Sequence, residues 1–176
     1  MNVSDHVILV DEYDHPIGSC EKLAAHRTGQ LHRAFSVFIT RVNKGVLELL
    51  LQQRHPNKYH SGGLWANSCC SHPRVGEDTL SAAMRRVKEE LGIHSDLIAI
   101  GSFIYHVQFE NGLHEYEYDH VLLGSYSGTP DKQDEIPFDE KEIMSIKWMS
   151  IDDLMQDSQA HPDNYVAWLP KVLEFI

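Results

Sequence analysis

An amphipathic run from Glu77 to Leu91 limits the possible folds of this chain more than any other feature. Its apolar residues Leu80, Ala83, Met84, Val87 and Leu91 recur at helical spacing, which predicts a helix with one buried face. The next residue, Gly92, is typical of the left-handed position that closes a helix. A helix with one apolar face needs a partner layer, so the surrounding elements decide the fold class.

Strands are predicted on both sides of this helix. Runs rich in β-formers cover residues 7–10, 34–42, 46–53, 98–109, 115–126 and 143–149. Ser150 can cap a short helix, and a last helix is expected over about residues 165–175. This order predicts an α+β fold with a mixed β-sheet flanked by helices. Since no linker or repeat interrupts the chain, we expect residues 1–176 to form a single domain.

The connection at Asn111-Gly112 leaves the register of one hairpin open. A two-residue turn would pair Glu117 with His106 across the hairpin. A three-residue loop over residues 110–112 would pair Glu117 with Tyr105 instead. We expect the longer loop, which brings Tyr105 and Glu117 to the same face of the sheet.

Composition excludes several classes of partner. A net charge of −11 and no basic patch argue against nucleic acid. Three cysteines, two of them adjacent, favour a reducing compartment over a disulfide framework. No apolar run approaches membrane-spanning length, so no membrane association is expected. We expect a soluble cytoplasmic protein and, since no exposed apolar stripe is evident, a monomer.

The last turns of the helix carry two pairs of opposite charge at four-residue spacing, Arg85 with Glu89 and Arg86 with Glu90. They are open to two interpretations. Surface salt bridges would contribute little. Alternatively, Glu90 binds Mg²⁺ together with substrate phosphate oxygens, and arginine binds the phosphates directly.

A second acidic group lies on a predicted strand. Alternation places Glu115, Glu117 and Asp119 on one face, where three like charges would repel each other. Either that face is solvated, or a cation relieves the repulsion. The chain has twelve histidines, and His26, His32 and His72 are the candidates for further ligands. Three imidazoles with two carboxylates would suit Mn²⁺, Zn²⁺ or Fe²⁺.

Cys69 and Cys70 belong to the segment Asn67–Pro73, which precedes the helix. Free cysteines are usually buried and inert. In an electropositive pocket beside a metal, however, the pKa of a thiol falls and it can exchange protons near neutrality. Strand-like alternation would point the two thiols in opposite directions, so only one of them would reach such a pocket.

The loop and helix together resemble the Nudix box, G-x5-E-x7-R-E-U-x-E-E-x-G-U with U aliphatic. The matching residues are Glu77, Arg85, Val87, Glu89, Glu90, Gly92 and Ile93. Ser71 stands where the pattern has glycine, and Arg86 where it has a glutamate. The resemblance implies a Nudix fold, but the missing carboxylate argues against the metal-dependent hydrolysis of pyrophosphates typical of that superfamily.

The departures are similar to those of one branch, the type I isopentenyl-diphosphate isomerases. The similarity covers about residues 5–125 and rests on segments 22–26, 31–36 and 65–73, on Arg85-Arg86, and on Glu115-x-Glu117. It implies an isomerase of isoprenoid biosynthesis that interconverts isopentenyl and dimethylallyl diphosphate through a tertiary carbocation. A Nudix pyrophosphohydrolase and a non-catalytic diphosphate-binding module are the alternatives.

The resemblance also implies roles for individual residues. Cys70 and Glu117 would be catalytic on opposite faces of the hydrocarbon, assisted by Tyr105, while Cys69 would take no part. A site for Mn²⁺ or Zn²⁺ would comprise His26, His32, His72, Glu115 and Glu117. Glu90 and the backbone carbonyl of Cys70 would bind Mg²⁺ with the diphosphate. The substrate-binding residues would be Lys22, Arg54, Lys58, Arg86 and Trp168, the last facing the cation with its indole.

Overall fold

A computed structural model describes residues 5–128 and 136–176. The strands are β1 (His6–Val10), β2 (Pro16–Glu21), β3 (His32–Asn43), β4 (Val46–Arg54), β5 (Trp65–Ala66), β6 (Cys69–Ser71), β7 (Leu97–Gln108), β8 (His114–Ser125) and β9 (Ile143–Ser150). The α-helices are α1 (Lys22–Thr28), α2 (Thr79–Leu91), α3 (Ile151–Ala160) and α4 (Leu169–Leu173), with a 3₁₀ turn at Pro162–Asn164.

Strand β3 organises the sheet. It pairs antiparallel with β1, β4 and β6 and parallel with β8, while β7 extends β8 and β9 extends β4. The parallel pairing sets His32 opposite Glu117, and the β6 pairing sets Ser36 opposite Cys70. The predicted mixed sheet is therefore confirmed, and β3 is the strand that aligns the histidine, cysteine and glutamate segments.

The helices flank the sheet on two sides, because alternate residues of its strands face different layers. Phe35, Val37 and Ile39 of β3 pack with α2, burying Val87 and Leu91. Phe38 faces the other layer, which includes α3 and α4. The apolar core of this layer includes Leu154 of α3 and Leu169 and Val172 of α4. This side of the sheet also buries Trp168, which lies just before α4.

Helix α2 begins two residues later than its apolar pattern suggested. Asp78 caps it by accepting a hydrogen bond from the backbone of Ser81, so Glu77 lies outside the helix. The end is as predicted, because Gly92 adopts a left-handed conformation with φ of 65°. The expected burial of Leu80 and Met84 is wrong, since both are exposed. The buried face is rotated so that it includes Glu90, which a hydrophobicity pattern does not count.

The hairpin of β7 and β8 has the predicted register. Phe109 and Leu113 are hydrogen-bonded, which leaves a three-residue loop with Gly112 at φ of 80°. Tyr105 therefore pairs with Glu117. Alternation along β8 buries Glu115, Glu117 and Asp119 on one face, as expected.

Two elements are absent from the predicted set, and a third is shorter than predicted. Pro16–Glu21 is a strand; its mostly exposed residues show no apolar alternation, and Pro16 stands at its first position. Residues 22–28 form a full helix, because the Glu21 carboxylate caps its first turn. The last helix covers only Leu169–Leu173, with proline in its first turn.

Within the described ranges, no helix combines the length and the apolar character needed to cross a lipid bilayer.

Candidate active site

One pocket collects most of the residues that the sequence singled out. Its lining includes Lys22, Arg54, Lys58, Cys70, His72, Arg86, Glu90, Tyr105, Glu115, Glu117 and Trp168. His26 and His32 do not line it; they are fully buried behind His72 and Glu117. Residues from four strands, two helices and three loops thus converge on a single cavity.

Four of the predicted metal ligands form a compact cluster. One ligand atom from each of His26, His32, His72 and Glu117 lies within 4.8 Å of the others. The Nδ1 atoms of His26 and His32 each lie 2.7 Å from a backbone carbonyl, of Lys22 and Gln30. A ring that donates Nδ1–H to a carbonyl presents the lone pair of Nε2, which is the orientation of a metal ligand.

The donor set fits a divalent metal. Burial lowers the pKa of His26 to about 4 and that of His72 to about 3, so both rings are neutral, as ligands must be. His32 Nε2 and His72 Nδ1 are buried without a hydrogen-bond partner among the described residues. His32 Nε2 lies 3.5 Å from Glu117 Oε1, and an orphaned nitrogen beside a carboxylate matches the nitrogen-rich ligation of Mn²⁺ or Zn²⁺ better than the oxygen ligation of Mg²⁺.

Glu115, the fifth predicted ligand, belongs to a neighbouring group with His26 and His60. His60 Nε2 lies 2.9 Å from Glu115 Oε1, and the His60 ring stacks on Phe109 at 4.9 Å between centroids. Sequence reasoning missed His60. His60 lies in an irregular loop, where no periodic pattern predicts the direction of a side chain. The only feature that pointed to it was its position two residues after Lys58.

The two glutamates of β8 have opposite electrostatic tendencies. Burial raises the pKa of Glu115 to about 8, reinforced by the charge of Glu117. Burial opposes ionisation of Glu117 as well, but the imidazoles of His32 and His72 outweigh it and hold the pKa well below its usual value. Glu117 is thus the ionised member of the pair.

Tyr105 lies between the two carboxylates. Its hydroxyl is 2.6 Å from Glu117 Oε2 and 3.0 Å from Glu115 Oε2. Burial, together with both glutamates, raises the pKa of Tyr105 well above the usual value. The hydroxyl therefore stays protonated and acts as a hydrogen-bond donor. The predicted proximity of Tyr105 and Glu117 is confirmed.

The adjacent cysteines point to opposite sides of the sheet, as alternation predicted. Cys69 packs in the apolar core beside α2, whereas Cys70 lines the pocket. Cys70 Sγ lies 2.9 Å from Asn67 Oδ1. In the protein without a metal, burial raises the pKa of Cys70 above its usual value.

The predicted substrate-binding cations lie together, partly neutralised by carboxylates. Arg86 Nη2 donates to Glu90 Oε1 at 2.5 Å and to Glu142 Oε1 at 3.3 Å, and Lys58 contacts Glu142 as well. Arg85, by contrast, pairs with Glu77 through two hydrogen bonds of 2.7 and 2.8 Å. Of the two adjacent arginines, Arg86 alone lines the pocket, and Arg85 fastens the loop before α2.

Trp168 completes the apolar part of the cavity. It is 2% exposed, and its ring lies 6.3 Å from that of Tyr105 and 5.5 Å from the Arg54 guanidinium. Its indole nitrogen donates to Asn67 Oδ1 at 3.1 Å. Asn67 therefore contacts both Cys70 and Trp168, and sequence reasoning had assigned it no role of its own.

Solved structures and a family model identify the class. Residues 30–169 match the model of the NUDIX domain. A crystal structure of a Deinococcus radiodurans protein has the same fold, with a TM-score of 0.74 at 20% identity over 96% of this chain and 97% of that one. A MutT protein from Methanosarcina mazei has a TM-score of 0.62 at 17% identity, covering 82% and 91%. The protein is a member of the Nudix superfamily.

Curated relatives place it more narrowly. Isopentenyl-diphosphate Delta-isomerase 2 from Photorhabdus laumondii is 47% identical over 167 residues, 95% of this chain and 89% of the relative. Isopentenyl-diphosphate Delta-isomerase from Photobacterium profundum is 44% identical over 178 residues, 100% of this chain and 96% of the relative. The chain belongs to the isopentenyl-diphosphate Delta-isomerase family.

Proposed function

We propose that this protein interconverts isopentenyl diphosphate and dimethylallyl diphosphate in isoprenoid biosynthesis, with Cys70 and Glu117 exchanging protons with the substrate. The isomerase activity follows from the family membership. The observation that supports the residue roles is a single pocket in which a thiol, an ionised carboxylate and four cationic side chains meet.

The hydrocarbon chemistry requires two proton transfers. Protonation of the terminal methylene carbon creates a tertiary carbocation, and loss of a proton from the carbon on its other side forms the new double bond. We assign these transfers to Glu117 and Cys70, acting from opposite faces of the hydrocarbon. Tyr105 stabilises Glu117 by hydrogen bonding, and the indole face of Trp168 stabilises the cation, an interaction of up to about 2 kcal/mol in a desolvated pocket.

The diphosphate is bound at the other end of the pocket. We propose that Lys22, Arg54, Lys58 and Arg86 bind it, because each is a cation that lines the cavity. Glu90 is 4% exposed and directed to Arg86, so it can share a Mg²⁺ ion with the phosphate oxygens, joined by the backbone carbonyl of Cys70.

A second metal, Mn²⁺ or Zn²⁺, would be held by His26, His32, His72 and Glu117, with Glu115 as the fifth proposed ligand. Bound there, the ion would supply positive charge beside Glu117 and favour its carboxylate form. The protein residues would do the rest: the histidines orient the Glu117 carboxylate, and Tyr105 and Trp168 keep water from the hydrocarbon.

An assay with isopentenyl diphosphate and divalent metals tests the proposal. Wild-type protein should form acid-labile allylic diphosphate without releasing phosphate, and both Cys70→Ala and Glu117→Gln should lose turnover. Phosphate release without allylic product would favour the hydrolase instead. Undiminished turnover in both variants would remove the assigned roles.

We also propose that the chain acts as a single-domain monomer in the cytoplasm, without nucleic acid or membrane. Support comes from the acidic net charge of −11 and from three free cysteines. Light scattering of the purified protein should give the mass of one chain, and a mass of two or more would contradict the monomer.

A further inference from the structure

Asn67 occupies a fully buried position between β5 and β6, with 0% exposure. Its side-chain nitrogen donates to the carbonyl of Val37 at 3.2 Å and to that of Cys69 at 2.9 Å. Its oxygen Oδ1 lies 2.9 Å from Cys70 Sγ and 3.1 Å from Trp168 Nε1. A primary amide has two donors and two acceptor sites, so this one uses its whole hydrogen-bonding capacity.

These contacts fix which way the amide faces. The indole N–H of Trp168 is a donor without acceptor capacity, so the atom that it meets must be the amide oxygen. The two backbone carbonyls on the other side accept only, and they require the amide nitrogen. Both ends of the amide agree, and a flip would break the hydrogen bonds to Trp168, Val37 and Cys69.

The orientation of the amide determines that of the thiol. Because Cys70 meets an oxygen, its S–H group is the donor, and its hydrogen points to Asn67 rather than into the pocket. The same oxygen binds the N–H group at the edge of the Trp168 indole. A hydrogen bond at the ring edge leaves the face of the ring available to the cavity. One buried atom thereby sets the direction of the thiol proton and the plane of the aromatic ring.

We propose that Asn67 is a positioning residue for the isomerisation, which aligns Cys70 and Trp168 with each other through its side-chain oxygen. The inference rests on the proposed function for its catalytic consequence, but the hydrogen bonds themselves can be tested in the absence of turnover. A displacement of reacting groups by about 1 Å can cost roughly 100-fold in rate. Loss of Asn67 should therefore lower kcat by about 100-fold and change KM by less than about two-fold.

Ser68 provides a matched control. It is the next residue, equally buried, and its hydroxyl donates to the carbonyl of Leu50 at 2.6 Å and accepts from the amide of Ile39 at 2.7 Å. These are bonds to the backbone of the sheet. Ser68→Ala thus removes buried hydrogen bonds at the same place in the fold. It leaves intact the hydrogen bonds of Asn67 to Cys70 and Trp168.

The experiment compares Asn67→Leu, which keeps the branched shape but makes no hydrogen bond, with Ser68→Ala. The readouts are kcat, KM and the infrared S–H stretching band of Cys70, identified as the band that Cys70→Ala loses. In the wild type this band should lie below the frequency of a free thiol, and Asn67→Leu should raise it, whereas Ser68→Ala should not. A wild-type band at the free-thiol frequency, or one that Asn67→Leu leaves in place, would overturn the proposal. So would equal effects of the two variants on kcat.

Trp168→Phe tests the shared oxygen if Asn67→Leu does not fold. Removing the indole donor leaves the oxygen to Cys70 alone, so the S–H band should move to still lower frequency. An unchanged band would show that the two groups do not share an acceptor. Wild-type protein with the lowered S–H band but no isomerase activity would refute the proposed function, while the alignment of the thiol by Asn67 would stand.

Discussion

Replacing Tyr105 by phenylalanine removes one hydroxyl and leaves the ring. The ring contacts with Phe103 at 5.6 Å and Trp168 at 6.3 Å remain possible, so the fold should be preserved. What is lost is the 2.6 Å hydrogen bond to Glu117. A hydrogen bond to a charged group contributes about 1.5–3 kcal/mol. If it acts fully on the transition state, kcat should fall about 10- to 150-fold.

The assay is steady-state turnover of isopentenyl diphosphate. We expect KM to stay constant, because Tyr105 contacts the carboxylates rather than the cations proposed to bind the diphosphate. Tyr118→Phe is the control, since Tyr118 lies on the opposite face of β8 and its hydroxyl accepts from Ser102 at 3.3 Å. A kcat within two-fold of wild type, or a loss confined to KM, would refute the assistance of Glu117 by Tyr105.

Three more outcomes can be measured. Burial lowers the pKa of Lys58 to about 8, so kcat/KM should fall as the pH rises through 8 and the free enzyme loses a cation proposed to bind phosphate. Lys58→Arg should remove this fall in kcat/KM, and a pH profile identical to that of the wild type would contradict the role of Lys58. Mn²⁺ or Zn²⁺ at 100 times its Kd should stabilise the metal-free protein by about 2.7 kcal/mol in calorimetry, and His72→Ala should abolish most of this stabilisation. Equal stabilisation of the variant would exclude the histidine cluster as the metal site. Cys69→Ala should keep most activity and Cys70→Ala should not, because only the Cys70 thiol lines the pocket; the reverse result would move the assignment by one residue.

The acidic strand and the helix show how far sequence reasoning reaches. The two-residue period of β8 was enough to place Glu115, Glu117 and Asp119 on one face, and the structure shows that this face is buried. The helical period located α2 but misplaced its buried face, because the burial of Glu90 follows from its place at the pocket and not from hydrophobicity. Local patterns therefore predict elements well, and polar burial escapes them.

The contacts of His60 and Asn67 could not be predicted from the sequence, for a different reason. His60 reaches Glu115 from a loop, and the two are far apart in sequence. Asn67 contacts Trp168 across 101 positions of the chain. Such contacts depend on the tertiary arrangement of β6, the hairpin and α4. A sequence motif can name the segment that carries a residue, but the partner that gives the residue its role comes from elsewhere in the fold.

Arg86 explains how a Nudix helix can serve an isomerase. The hydrolase pattern has a glutamate here, which would lie beside Glu89, Glu90 and Glu142 and add a negative charge to a group that already attracts cations. Arginine instead donates to all three, at 2.8, 2.5 and 3.3 Å. The change from one negative to one positive charge lowers the capacity of the protein to bind several metals by itself and adds a donor for phosphate oxygens. On the proposed roles, the same helix face would favour holding a diphosphate over activating water to cleave it.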